Sequence, residues 1–321
     1  MARSISSNAA VAGASPAEAP RRPFVLNLLA AMRPGQWTKN LLIFAGLLFG
    51  NASIGRGLFD RASLVHAMTA FVVFCGLSGA VYLVNDLLDR HSDRLHPLKA
   101  TRPIASGALT VPAAVTAACL LAGAGLAGAF ALGTRFGLVA SAYIGLLALY
   151  SGPLKHIVII DVLTIAIGFV LRAIAGAVAV DVQISHWLLV CTILLALFIS
   201  LAKRRHELTL LAGDAPTHRP ILGEYSPYLL DQMIAVVTAS TLIAYVFYTI
   251  SPETEQKFGT PWLGLTIPFP LYGIFRYLYL IHQRAGGGSP ADLLLTDRPL
   301  LTCVALWAVV VALLIYRPVP W

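Results

Sequence analysis

Residues 85–93 read Asn-Asp-Leu-Leu-Asp-Arg-His-Ser-Asp. They end an apolar run over 71–84 and open a basic, polar stretch over 90–110. If the helix continues past Val84, Asn85, Asp89 and Asp93 fall at i, i+4 and i+8, stacked on one face about 6 Å apart per turn. Asp86 then points away from that face, where it can support the row from behind. Three oxygen-bearing side chains in register at a membrane surface suit a hard cation. Mg²⁺ takes one or two carboxylates and completes its shell with waters and substrate phosphates. The row reads as a seat for a metal and a diphosphate. A solvated helix end with acids among basic neighbours is the plainer alternative, but acids in register at a membrane more often mark a site.

Other groups of the same chemical kind lie elsewhere in the chain. Pro97 ends the helix by about His96, because the residue before a proline leaves α space. Arg102 follows in Thr101-Arg102-Pro103-Ile104. It suits a phosphate oxygen that the metal leaves free, or a loop charge on the inner membrane face. Lys39, in Gly35-Gln36-Trp37-Thr38-Lys39-Asn40, is either a snorkelling anchor beside Trp37 or a phosphate contact. Lys203-Arg204-Arg205-His206-Glu207 leaves a later apolar run. In a helix, Lys203 and Glu207 share a face and can pair. The three cations fit a stop-transfer cluster, or a ligand with more than one phosphate. Asp161 and Arg172 share one run, about 16 Å apart along a helix and on nearly the same face. An Arg inside lipid is costly. It either lines a cavity or pairs with an acid on another helix. Gly168 and Gly176 flank it at i−4 and i+4, which allows close packing or room for a chain.

The elements that must position these groups follow from composition. The chain has 321 residues, 58% hydrophobic and 12% charged, against roughly 25% charged in a soluble domain. Nine apolar runs, at 37–50, 64–87, 111–131, 136–151, 157–180, 187–202, 229–250, 262–281 and 300–316, predict an all-α polytopic membrane protein with nine transmembrane helices around a central cavity. The first and fourth runs are short. Residues 1–22 predict a disordered N-terminal tail rather than a signal peptide. Residues 23–321 predict a single transmembrane domain.

Most of the 23 Lys and Arg fall on one side of these spans. The positive-inside rule then puts the N-terminus and the polar loops after the second, sixth and eighth spans in the cytoplasm, capping the site, and the C-terminus outside. The net charge of +8 fits this inner face and anionic lipid or substrate rather than nucleic acid. The four cysteines, Cys75, Cys119, Cys191 and Cys303, lie inside apolar runs without zinc or disulfide spacing. The eight histidines are scattered, and no Ser-His-Asp elbow or nucleotide-binding loop is present. Gly286-Gly287-Gly288 is too short to cradle phosphate and reads as a hinge in a mobile flap that also carries Asp292 and Asp297. A transporter is disfavoured, because polar residues crowd the inner face rather than tracing a path to both.

The chain resembles the UbiA superfamily of intramembrane transferases over about residues 33–316. The residues that carry the likeness are Asn85-Asp86-x-x-Asp89-x-x-x-Asp93, then Pro97 and Arg102-Pro103-Ile104. Aromatic-prenylating members carry a second aspartate motif after the sixth span. Here that place reads Lys203-Arg204-Arg205-His206-Glu207-Leu208. This is similar to the branch that transfers phosphoribose to decaprenyl phosphate, as are Arg33-Pro34-x-Gln36-Trp37-x-Lys39-Asn40, residues 168–176 around Arg172, and Tyr225-Ser226. The resemblance implies phosphoribosyl diphosphate as donor, a polyprenyl phosphate lipid as acceptor, Mg²⁺ as cofactor and a place in cell wall biosynthesis. It also implies an inner-membrane enzyme. The apolar flanks of the spans themselves allow a homo-oligomer. The alternative within the fold moves a polyprenyl chain onto an aromatic or glycerophosphate acceptor.

Overall fold

Asp60 begins the first long span. Its carboxylate accepts the Ser63 amide at 2.9 Å, satisfying one of the open donors of a helix start. In the computed structural model, which describes residues 23–50, 52, 54–95, 99–183, 185–211, 220–283, 293 and 296–316, all the regular elements are helical. They are α1 (Phe24–Ala31), α2 (Arg61–Leu88), α3 (Arg90–Leu95), α4 (Val111–Leu132), α5 (Thr134–Ser151), α6 (Ile160–Ala179), α7 (His186–Leu211), α8 (Pro227–Ile250), α9 (Pro252–Phe258), α10 (Pro268–Gln283) and α11 (Arg298–Tyr316).

Seven helices among the described residues are long and apolar enough to cross a membrane: α2, α4, α5, α6, α7, α8 and α11. The other two expected spans are broken. Residues 37–50 fall in a 3₁₀ stretch, Pro34–Ile43, followed by a wide π turn, Gly46–Gly50. Residues 262–281 split into a 3₁₀ turn, Trp262–Thr266, and α10. Pro268 and Pro270 remove amide donors where these two pieces meet. The 16 residues of α10 span about 24 Å, short of the ~30 Å hydrocarbon core. The expected tail over 1–22, Pro97, the glycines at 286–288 and Asp292 lie outside the described residues.

Successive spans are neighbours. α2 packs on α4, α4 on α5, α5 on α6, α6 on α7, and α7 on α8. Gly133 alone separates α4 from α5. Its φ of 136° is one that side chains rarely adopt. One core cluster gathers Phe74, Phe136 and Tyr143 from α2 and α5, with ring centroids 5.8 and 5.0 Å from Phe74. A second gathers Phe198, Tyr225, Leu230 and Tyr277, joining α7, α8 and α10.

α6 lies between these clusters and meets the broken segment as well. A Cβ on Gly176 would stand 2.0 Å from the Ile43 carbonyl oxygen, so the two backbones touch. The start of α6 is tied down by charge. Arg204 Nε donates to Asp161 Oδ2 at 3.0 Å, and both side chains are buried. Arg204 also donates to Glu207 and, at 3.4 Å, to Tyr150. Tyr225 donates to Asp161 Oδ1 at 2.9 Å and accepts the Ile159 amide at 2.8 Å. That amide belongs to a β-branched residue at φ 68°, a conformation that persists only when its surroundings enforce it. Burial pushes the Tyr225 hydroxyl up to about 12, so it remains a donor to Asp161 across the physiological range.

Two outcomes follow for stability. Gly176→Ala overpacks the contact with Ile43 and costs about 1–3 kcal/mol, whereas Gly145→Ala, with open space around it, is neutral; thermal inactivation in detergent reads both. Asp161→Ala takes one of two carboxylates from Arg204 and the acceptor from Tyr225 and costs about 2–3 kcal/mol, seen as a larger fall in the same midpoint than Asp60→Ala produces.

Candidate metal and diphosphate site

The helical register expected across the acidic row holds through a break. α2 ends at Leu88, Asp89 caps it at φ −87° and ψ 4°, and α3 follows at once. The Asp89 amide still donates to the Asn85 carbonyl at 2.9 Å, and the Asp93 amide to the Asp89 carbonyl at 2.8 Å. The side chains nevertheless sort into two pairs rather than one row. Asn85 Nδ2 donates to Asp89 Oδ2 at 3.1 Å. Asp86, expected to turn away, instead shares a face with Asp93 seven residues on. Arg102 straddles that pair, its Nη1 at 3.2 Å from Asp86 Oδ1 and 2.6 Å from Asp93 Oδ2.

Two further cations complete the arrangement. Arg33 donates to Asp86 Oδ1 and lies over the Tyr82 ring, 4.9 Å from its centroid. Its backbone is left-handed, φ 54° and ψ 67°. Lys155, on the short turn Leu154–His156, reaches Asp89 Oδ1 at 2.6 Å. Exposure separates the three acids. The Asp89 side chain keeps 30% of its surface, against 2% for Asp86 and 4% for Asp93. Asp89 is the acid most open to a ligand, and the other two form its floor.

The donor set fits a hard divalent ion. Every candidate atom is an oxygen. Asn85 spends its amide nitrogen on Asp89, which leaves its Oδ1, the atom a hard cation takes. Asp86 Oδ2 is buried without a hydrogen-bond partner, a costly arrangement that a ligand would relieve. Among the described residues no set of three or more His, Cys, Asp or Glu converges to cage an ion by itself. Mg²⁺ does not require one, since waters and phosphates complete its shell.

The remaining expected site residues have distinct surroundings. Arg172 is buried in α6. It donates to Asn40 Oδ1 at 2.8 Å, to the Gly168 carbonyl at 2.9 Å and to the Tyr143 hydroxyl at 2.6 Å. The Tyr143 and Phe169 rings lie 4.8 and 5.2 Å from its charge. Among the described residues no carboxylate pairs with it. Asp161, on the same helix, pairs with Arg204 instead. Lys39 feels the charges of Lys203, Arg172 and Arg33. Lys203 Nζ lies 3.9 Å from Glu207 Oε1, the pairing expected from their spacing, and remains 43% exposed. Arg204, expected on a donor phosphate, turns inward to Asp161 and Glu207.

Four contributors were not singled out from the sequence for what they do here: Lys155, Asn40, Tyr143 and Arg33. Lys155 falls among the inner-face Lys and Arg that the spans define. The break at Gly152-Pro153 just before it was the available signal, because such a break turns a side chain off the helix axis. Asn40 and Arg33 stood inside a noted motif without a role of their own.

Residues 41–295 match the UbiA prenyltransferase family. The decaprenyl-phosphate phosphoribosyltransferase of Mycolicibacterium smegmatis is 33% identical over 94% of this chain and 96% of its own length. The protein of the same name from Corynebacterium glutamicum is 31% identical over 90% and 86%. Among solved structures, a UbiA homolog from Archaeoglobus fulgidus bound to GPP and Mg²⁺ superposes with a TM-score of 0.70 at 21% identity, over 90% of this chain and 99% of that one. With the family matched over most of its length, and with near full-length relatives, this chain, an integral membrane protein, belongs to the UbiA prenyltransferase family.

Proposed function

We propose that the chain is a membrane-embedded phosphoribosyltransferase. It moves 5-phosphoribose from phosphoribosyl diphosphate to a polyprenyl phosphate of the decaprenyl type and releases diphosphate, with Mg²⁺ as cofactor. One observation carries this reading: three cations, Arg33, Arg102 and Lys155, converge on the acidic row. A prenyl donor brings one diphosphate on an apolar tail. Phosphoribosyl diphosphate brings a diphosphate and a second phosphate on a polar sugar, and the acceptor brings a third phosphate group. Such a load calls for cations. The relatives' names support the same assignment.

Asn85, Asp89 and Asp93 would hold Mg²⁺, with the free oxygen of Asp86 beside them. When bound, the ion neutralises charge that develops on the departing diphosphate. Arg102 lies next to the row and takes diphosphate oxygens. Lys203, half-exposed, takes the ribose 5-phosphate. Lys39 steers the acceptor phosphate. Arg172 holds Asn40, the residue after Lys39, and so fixes the segment that presents it. Arg204 serves by bracing Asp161, Glu207 and, through them, Lys203. The acceptor oxygen is anionic, so no strong general base is required. It attacks the anomeric carbon opposite the diphosphate and inverts that centre. Catalysis is positioning and charge compensation.

The finer architecture belongs to the same proposal. The broken segments 34–50 and 262–283 complete nine spans around a central cavity within one domain over 23–321. The N-terminus and the site face the cytoplasm, and the C-terminus faces out. The inner-face excess of Lys and Arg supports this orientation. A second reading, transfer of a prenyl chain, draws on the likeness to the archaeal fold bound to GPP.

Incubating the purified chain and polyprenyl phosphate with either labelled phosphoribosyl diphosphate or labelled prenyl diphosphate separates the two. Label enters lipid product only from the former; product from prenyl diphosphate alone overturns the assignment. Asp89→Ala lowers turnover by about 10²–10³-fold with an unchanged melting midpoint. Lys203→Ala raises the donor KM about tenfold, ~1.4 kcal/mol, with kcat nearly unchanged.

A further inference from the structure

The three acids of the row and the three cations on them cancel. Asp86, Asp89 and Asp93 carry three negative charges. Arg33, Arg102 and Lys155 carry three positive ones. Every acid has at least one such contact, with Lys155 at 2.6 Å from Asp89 and Arg102 at 2.6 Å from Asp93. These cations arrive from three separate segments, so the pairing is not a local accident of helix spacing. Farther in, Arg172 adds positive charge and meets no carboxylate among the described residues. A divalent ion arriving alone finds open oxygens, such as Asp86 Oδ2, but on carboxylates whose charge Lys155, Arg102 and Arg33 already neutralise. It must also face those three cations themselves, in a weakly screening site. A divalent ion that carries diphosphate meets the opposite balance. The complex is anionic, and its phosphate oxygens give Lys155 and Arg102 new partners as they leave the carboxylates.

We propose that Lys155 and Arg102 gate the metal seat, holding Asp89 and Asp93 against a bare divalent ion and yielding them only to one that brings a diphosphate. This rests on the reading of the acidic row as the metal and diphosphate seat. Donor and metal then bind as one unit rather than in sequence. The device also acts in reverse. When diphosphate departs with its ion, Lys155 and Arg102 return to the carboxylates, so product is not retained by a metal left behind. Lys155 is the sharper of the two, because it touches Asp89, the acid most open to solvent, and makes no other contact with the row. Arg102 bridges two acids and is also part of the floor.

Equilibrium dialysis of the full chain in detergent against Mn²⁺, with and without inorganic diphosphate, tests the gate without any turnover. The wild type binds Mn²⁺ weakly alone and at least tenfold more tightly when diphosphate is present. Lys155→Met raises the affinity for Mn²⁺ alone about tenfold and shrinks the gain from diphosphate. Lys155→Arg, which keeps the charge, restores the wild-type pattern and guards against a folding defect in the Met variant. Equal Mn²⁺ affinity for wild type and Lys155→Met, both folded by their melting midpoints, overturns the gate. Asp89→Asn separates this from failure of the seat itself. If Asp89→Asn binds Mn²⁺ with diphosphate as the wild type does, the seat lies elsewhere and both readings fall. If it abolishes that binding while Lys155→Met changes nothing, only the gate falls.

Discussion

The compensation of charge where the chain leaves the bilayer governs the rest of this molecule. Asp86 and Asp93 are almost fully buried, and a carboxylate removed from water is costly unless a cation or several donors attend it. Arg102 attends both, and Arg33 adds a second contact to Asp86. This fixes four segments relative to one another: the end of α2, the short α3, the loop that carries Arg102, and the left-handed turn before Pro34. The same requirement acts at the start of α6, where Asp161 accepts from Arg204 and Tyr225. The two networks sit on different parts of the bundle, yet both tie a long helix to a polar loop by burying a charge with its partner.

α6 connects these networks to the interior. It presents Arg172 to Asn40 and Tyr143, and Gly176 to the backbone of Ile43. A cation attended only by neutral oxygens and two aromatic rings is stabilised less fully than one facing a carboxylate. Its field therefore extends to Lys39. The acids at the mouth are neutralised, while Arg172 farther in meets no carboxylate among the described residues. That asymmetry suits a site for ligands carrying several phosphates.

Much of this was legible in the sequence because lipid imposes simple rules. Long apolar runs gave most of the helices, and the spacing of Asn85, Asp89 and Asp93 gave a backbone register that persists across the α2–α3 break. The Lys203–Glu207 pair followed from helical spacing alone. The breaks in 37–50 and 262–281 were less legible, since apolar composition does not distinguish a straight span from one interrupted by proline or a wide turn. Asp86 was misjudged for a physical reason. A face defined by i and i+4 neighbours ignores a residue seven positions on, and Arg102, distant in sequence, joined Asp86 to Asp93. Arg204 and Arg172 shared that difficulty, since their partners, Asp161 and Asn40, lie 43 and 132 residues away. Contacts of that separation leave no local pattern. Lys155 carried a faint signal in its Gly-Pro break and none in its charge.

The central claim is that the acidic row exchanges its own cations for a metal-bound diphosphate. A structure determined with Mg²⁺ and phosphoribosyl diphosphate, without acceptor, tests it most directly. The account predicts the ion on the oxygens of Asp89 and Asn85, with the Lys155 ammonium moved from Asp89 onto the diphosphate. A donor bound elsewhere in the bundle, or one bound at the row with Lys155 still within 3 Å of Asp89, would contradict it.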